Sequence, residues 1–265
     1  MAEPGPLPLD AVTFDFWDTL VHAPEASTSR VRRRTLIVDA LTESGIDVDP
    51  DEVGRVLAVV RDSFDQHWAA NRQFTGRDAA RVVLQALELD ADAAMLDRVH
   101  EAFVDADPPA IPNLTPNVAD ALRDLKALGL RLGIICDVGL SPSTVLRSYL
   151  ERHEVLDLFD HWSFSDEVGA YKPDPTIFAH ALDGLGGIDP ARAAHVGDLR
   201  RTDVVGARAF GMVSVRYRGS NDDVHRPGEG DRSIPSAMTP TETDTHEADH
   251  VISDHGHLLD VLGLR

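Results

Sequence analysis

Ala11-Val12-Thr13-Phe14-Asp15-Phe16-Trp17-Asp18-Thr19-Leu20 carries an apolar, β-branched run that stops abruptly at a carboxylate. A run of that character suits a strand buried on both faces, as in a parallel sheet, and the pattern predicts a strand over 12–16. In an open parallel sheet, reactive groups sit just beyond the carboxyl ends of strands, where loops leave the packed core. Asp15 holds such a place, and the rest of the chain can be searched for others.

Downstream of Leu20 the pattern changes. Residues 27–105 show only helical signals. The Ser-Thr-Ser at 27–29 can cap a helix carrying Val31, Leu36, Ile37, Ala40 and Leu41 at helical spacing and ending at Gly45. Asp49-Pro50-Asp51-Glu52 combines an N-cap, a proline at the first helical position and a capping-box acid. Thr75 can cap a third helix, and Met95, Val99, Ala102 and Phe103 mark a fourth. The segment 107–116, with four prolines, reads as a boundary and hinge.

Helix and strand signals then alternate. Thr115-Pro116 is expected to open a helix that stops at Gly129, followed by a strand over 131–136 running into Asp137. Ser141-Pro142 and Asp174-Pro175 open two more helices, with a strand over 161–164 between them. A strand over 193–197 ends at Asp198, a helix follows over about 203–210, and strands over 212–215 and 250–252 complete the series before a closing helix over 256–264. Such alternation predicts a doubly wound parallel α/β sheet with an all-α insertion after its first strand. The core is expected over 1–21 and 113–265, and the helical insertion over 22–112. The polar stretch 219–249 shows neither period and reads as a surface loop.

Composition narrows the function classes. The 265 residues carry a formal charge of −20, which opposes adhesion to nucleic acid or an anionic membrane. Cys136 is the sole cysteine, so no internal disulfide can form; Met1-Ala2-Glu3-Pro4 lacks the pattern of a signal peptide, and no apolar run approaches membrane-spanning length. A cytoplasmic location and no nucleic-acid or membrane partner are expected. Oligomeric state is not legible.

Acids collect at the strand ends: Asp15, Asp137 beside Cys136, Asp198, and Asp203 nearby. A hard divalent cation is the simplest counter-charge, and magnesium prefers a few carboxylates together with phosphate oxygens. Lys172 and the N–H groups of the helices opening at Ser141-Pro142 and Asp174-Pro175 add positive potential that suits a phosphoryl group. Asp15 is then a plausible nucleophile.

Four stretches carry a family resemblance: Phe14-Asp15-Phe16-Trp17-Asp18-Thr19-Leu20; Ile134-Ile135-Cys136-Asp137; Gly169-Ala170-Tyr171-Lys172-Pro173; and Gly197-Asp198-Leu199-Arg200-Arg201-Thr202-Asp203 with Gly206-Ala207 and Gly211-Met212. In this order they resemble the four motifs of the haloacid dehalogenase superfamily. The resemblance implies a Rossmann-like core with a helical cap of the C1 type, inserted between the first two motifs. It implies Asp15 as the nucleophile forming an aspartyl-phosphate, and Lys172 as the clamp on Asp15 and phosphate. Magnesium would be held by Asp15, the Trp17 backbone carbonyl, Asp198 and Asp203, and Trp17, Cys136 and Asp137 would line the substrate. The implied reaction is hydrolysis of a small phosphorylated metabolite.

Two positions depart from that pattern. Trp17 stands where phosphatases of the family carry a second Asp that protonates the leaving alcohol, and Cys136 replaces a Ser or Thr hydroxyl with a weak donor. Asp18 lies one residue further on, where its side chain is expected to point elsewhere. Carbon–halogen hydrolysis, which needs no protonated leaving group, and a catalytically weak binding or regulatory role are the alternative readings. Elsewhere the plain readings suffice. Arg30, Arg32, Arg33 and Arg34 could reach over the site to recruit an anion, although they cannot all point inward and a solvated helix face is the plainer reading; Cys136 reads as a small buried hydrophobe; and His246, His250, His255 and His257 lack metal-ligand spacing.

Overall fold

A computed structural model of the chain describes residues 9–22, 26–104, 111–222 and 247–265. Strand β1 (Ala11–Phe14) is buried along its whole length. It ends two residues before the expected point because the chain turns at once: the amides of Leu20 and Val21 both donate to the Phe16 carbonyl, and Asp18 takes a positive φ of 54°. The turn leads into β2 (Val21–His22), which pairs antiparallel with β3 (Asn113–Leu114). Two-residue strands are too short for any hydrophobic period to reveal, so the sequence gives no sign of this pair.

Between β2 and β3 lie four helices, α1 (Ala26–Glu43), α2 (Pro50–Ala69), α3 (Gly76–Ala86) and α4 (Ala93–Val104). Helix α1 starts at Ala26, so residues 27–29 lie inside it rather than ahead of it. The Asp49 side chain accepts from the Asp51 amide at the start of α2, and Thr75 and Asp78 form a reciprocal capping box on α3. These helices share a core of their own, built from residues such as Ile37, Leu41, Val53, Val60, Trp68, Val83 and Phe103.

The remaining elements are α5 (Val118–Ala127), β4 (Arg131–Cys136), α6 (Ser143–Arg152), β5 (His161–Phe164), α7 (Ser165–Val168), α8 (Pro175–Gly184), β6 (Ala193–Gly197), α9 (Val205–Phe210), β7 (Val213–Tyr217), β8 (His250–Ile252) and α10 (Leu258–Val261). The six long strands form one sheet in the order β5-β4-β1-β6-β7-β8, and every pairing in it is parallel. This is the doubly wound α/β architecture expected, and β1 lies at the point where the strand order reverses. Alternate strand residues feed opposite layers. Phe14, Leu132 and Ile134 pack with α5, α6 and α10, while Ala11 and Ile135 pack with Ile177, Phe178 and Ala207 of α8 and α9.

Two further helix starts differ from expectation. Helix α5 begins at Val118 behind Asn117 at φ +58°, and the Thr115 side chain is turned toward the Thr19 carbonyl, to which its hydroxyl donates at 2.6 Å. Helix α6 begins at Ser143, whose amide donates to Asp166 Oδ2 at 2.9 Å. The anion at that helix end is a carboxylate of the protein itself. Before α9 the chain makes one wide π-type turn over Arg200–Val204, which contains Asp203. Most of 219–249, and residues 105–110 of the proline-rich boundary, lie outside the described residues. Among the described residues, no helix is long and apolar enough to cross a membrane.

Candidate active site

Asp15 follows β1 directly, and its amide donates to the Val196 carbonyl of β6 at 2.8 Å. The carboxylate is thereby fixed between the ends of β4 and β6. Lys172, on the loop entering α8, is buried and donates to both Asp15 Oδ1 and Asp203 Oδ1, the latter at 2.6 Å. A lysine this deep would cost several kcal/mol unless compensated. Burial alone would lower its pKa, but Asp15, Asp203 and Asp137 outweigh burial and hold it well above its ordinary value. Lys172 is therefore an ammonium.

Asp203 is the best-satisfied acid of the group. Besides Lys172, its Oδ1 accepts from His195 Nε2 at 3.0 Å, and its Oδ2 accepts from the Leu199 amide at 3.0 Å. Burial works to raise its pKa, yet Lys172 and His195 outweigh burial and hold it well below the carboxylate range. An ionised acid accepts only, so the His195 ring carries its proton on Nε2 and presents Nδ1 to the Thr13 hydroxyl at 2.9 Å. His195 sits in a strand that reads as apolar, and nothing in the sequence marks it as a partner of Asp203.

Asp198 is the opposite case. It is buried, and among the described residues no hydrogen-bond donor meets its carboxylate. Burial first, then Asp15, Asp203 and Asp18, push its pKa well above the usual range. Burial likewise raises Asp15, to about 7, against the pull of Lys172. Asp15, Asp198 and Asp203 each offer an oxygen within 4.8 Å of the others. Buried carboxylates that close together, one of them without a donor, have the chemistry of a hard divalent cation site, and all three ligands are oxygens as magnesium prefers. The donor set fits the ion.

The other expected site residues lie close by, with their polar atoms engaged. Asp137 follows β4; its Oδ1 accepts from the Lys172 amide at 2.8 Å and its Oδ2 from the Trp68 indole of α2 at 3.1 Å, and burial raises its pKa to about 6. Cys136 is fully buried in the core below, and burial pushes its thiol well above the ordinary value. Trp17 is half-buried against the rings of Phe16 and Tyr149, with centroids 5.3 and 6.2 Å away. Asp18 turns to His22, whose Nδ1 lies 2.7 Å from its Oδ1.

The helical unit meets this edge of the sheet through particular contacts. Beyond the Trp68 bond, the Arg201 guanidinium lies 3.8 Å above the Trp68 ring, and the Tyr171 hydroxyl accepts from the Phe74 amide at 3.2 Å. Arg30, Arg32 and Arg34 are exposed or half-exposed along α1, and the Arg33 guanidinium lies 5.2 Å from the Phe103 ring. Of the four histidines near the chain's end, His246 lies outside the described residues, and His255 is buried against the Tyr217 ring.

The sequence is 31% identical over 188 residues to human haloacid dehalogenase-like hydrolase domain-containing protein 3, covering 68% of this chain and 65% of that protein. It is 30% identical over 213 residues to glyceraldehyde 3-phosphate phosphatase of Methanopyrus kandleri, covering 79% and 84%. Among solved structures, 2-haloacid dehalogenase from Pseudomonas syringae matches with a TM-score of 0.62 at 24% identity, and a HAD phosphatase from Thermococcus onnurineus with 0.56 at 24%. Each match covers 96% of this chain and 98% of the other, and at that identity the likeness is one of fold. The family model described as haloacid dehalogenase-like hydrolase matches residues 9–211, with Asp15, Asp137, Lys172, Asp198 and Asp203 all inside the match. The chain belongs to the haloacid dehalogenase-like hydrolase family.

Proposed function

We propose that the protein is a magnesium-dependent phosphatase of a small phosphorylated metabolite, with Asp15 as the nucleophile and the α1–α4 unit as a cap over the site. The observation that carries this reading is the buried constellation of Asp15, Lys172 and Asp203 beside an Asp198 whose carboxylate meets no donor among the described residues. Lys172 holds Asp15 Oδ1 and leaves Oδ2 to attack phosphorus. The P–O ester bond breaks as the aspartyl-phosphate forms, and water then hydrolyses that intermediate. Asp203 keeps Lys172 in place, and His195 keeps Asp203 in place. Magnesium between Asp15, Asp198, Asp203 and the Trp17 carbonyl would neutralise the acids and draw charge from the phosphoryl oxygens. The archaeal relative is named a phosphatase, in keeping with this chemistry.

Trp17 shapes the expected selectivity. With no carboxyl at that position, a departing alcohol takes its proton from water, so esters with good leaving groups are the favoured substrates. Phosphate release is expected from aryl phosphates such as p-nitrophenyl phosphate, faster than from alkyl phosphates, lost on chelation and lost in Asp15→Asn. Equal release from the native protein and Asp15→Asn overturns the proposal. The same absence of an acid at Trp17 favours a second reading, carbon–halogen hydrolysis through an Asp15 ester, and halide release from a 2-haloacid that persists in chelator would put it in first place.

A further inference from the structure

The Asp137 carboxylate has one foot in each half of the molecule: Oδ1 holds the backbone amide of Lys172, and Oδ2 holds the Trp68 indole of the helical unit. The residue before Lys172 is fixed from the same side. The Tyr171 side chain is buried within the core of the helical unit, and its hydroxyl meets the Phe74 amide at 3.2 Å, the Phe74 carbonyl at 3.3 Å and the Val138 carbonyl at 3.2 Å. One proton serves the two carbonyls, so the three contacts require residues 74, 138 and 171 to stay in register.

We propose that Trp68 is a positioning residue, which through Asp137 ties the seating of the helical unit to the placement of the Lys172 ammonium. This rests on the catalytic reading of Asp15 and Lys172. With the indole in place, each Asp137 oxygen has a donor and the carboxylate stays off Lys172 Nζ. Without it, a half-buried carboxylate short of a donor turns toward the nearby cation, Lys172. The Lys172 amide loses its acceptor, and the ammonium shares its charge between Asp137 and Asp15. A unit lifted from the sheet edge thus leaves the nucleophile poorly held, and a seated one completes the site.

The test is Trp68→Phe, which keeps an aromatic ring against Arg201 and removes the N–H. Amide hydrogen exchange over 169–172, followed by mass spectrometry, is expected to quicken on the order of 10-fold although the substitution lies in another element. The kcat for p-nitrophenyl phosphate is expected to fall on the order of 10-fold with KM within about twofold, since what is disturbed most is the hold on the attacking Asp15. Asp137→Asn, in which one of the two contacts must become donor against donor, is expected to give the same exchange signature and serves if Trp68→Phe does not fold. Unchanged exchange over 169–172 in a folded variant overturns the coupling, whatever the enzyme does. A native protein without phosphatase activity overturns the proposed function, and the exchange result then still decides the coupling.

Discussion

Asp203 shows how little space a single residue of this site has. A Cβ placed on Gly197 would lie 2.2 Å from Asp203 Cγ and 2.6 Å from its Oδ1, far inside any tolerable contact. Gly197 ends β6, and the bare backbone there lets the Asp203 carboxylate reach back to Lys172 and His195 at once. Gly197→Ala is therefore expected to push Asp203 away, release Lys172 and cut turnover by about 100-fold, with far-UV circular dichroism unchanged because the sheet itself is intact. Activity near that of the native protein would show that Asp203 is not needed to hold the lysine. Asp203, Lys172 and Asp15 are all legible in the sequence as motif residues, but the division of labour among them is not. Periodicity cannot show that Asp203 is met by three donors while Asp198 meets none among the described residues, because that difference arises from which backbone and side-chain groups fold around each acid.

At the scale of the element, local signals served best where they are self-contained. The Thr75 cap of α3 is readable from its residue type, and the structure adds the partner, Asp78, three residues on, with both halves of the capping box formed. Thr75→Ala is expected to lower stability by about 1 kcal/mol in urea unfolding, with no change in the m-value. The same reasoning misplaces the start of α5 because Thr115, an equally good cap by type, gives its hydroxyl to the Thr19 carbonyl 96 residues away in sequence. A cap motif specifies a helix start only when its side chain stays turned toward the helix's first amides rather than toward a group from elsewhere in the chain. The β2–β3 pair escapes sequence reading for a related reason: two residues per strand carry no period, and only the closure of the chain brings them side by side.

Across the whole molecule, the two ends of the described chain meet at the loop behind the nucleophile. His255, close to the C-terminus, donates through Nε2 to the Thr19 carbonyl at 2.9 Å and stacks on Tyr217 with ring centroids 4.3 Å apart. Burial lowers its pKa from 6.5 to about 4. The neutral ring's stabilising contribution is fully present above the unfolded pKa of 6.5 and drains away as pH falls from there toward 4, because the unfolded chain takes up a proton that the folded chain refuses. The difference amounts to about 3 kcal/mol over that window. Urea unfolding from pH 8 to 4 is expected to show the native protein losing that stability relative to His255→Gln, whose own curve lacks this component. Parallel curves for the two proteins would mean that His255 titrates normally in the fold.

The sequence by itself determined the parallel α/β sheet, the helical insertion after its first strand, and the set of acids and lysine at the strand ends. Those follow from hydrophobic period, caps, prolines and strand-end residue types, all of which act over a few residues. Only the tertiary structure decided which partners those groups take. His195 behind Asp203, Trp68 on Asp137, Tyr171 in the core of the helical unit and His255 under Thr19 are through-space pairings between distant parts of the chain. Burial sets how strongly each charged group must be answered, and burial is a property of the packed whole rather than of any stretch of the chain.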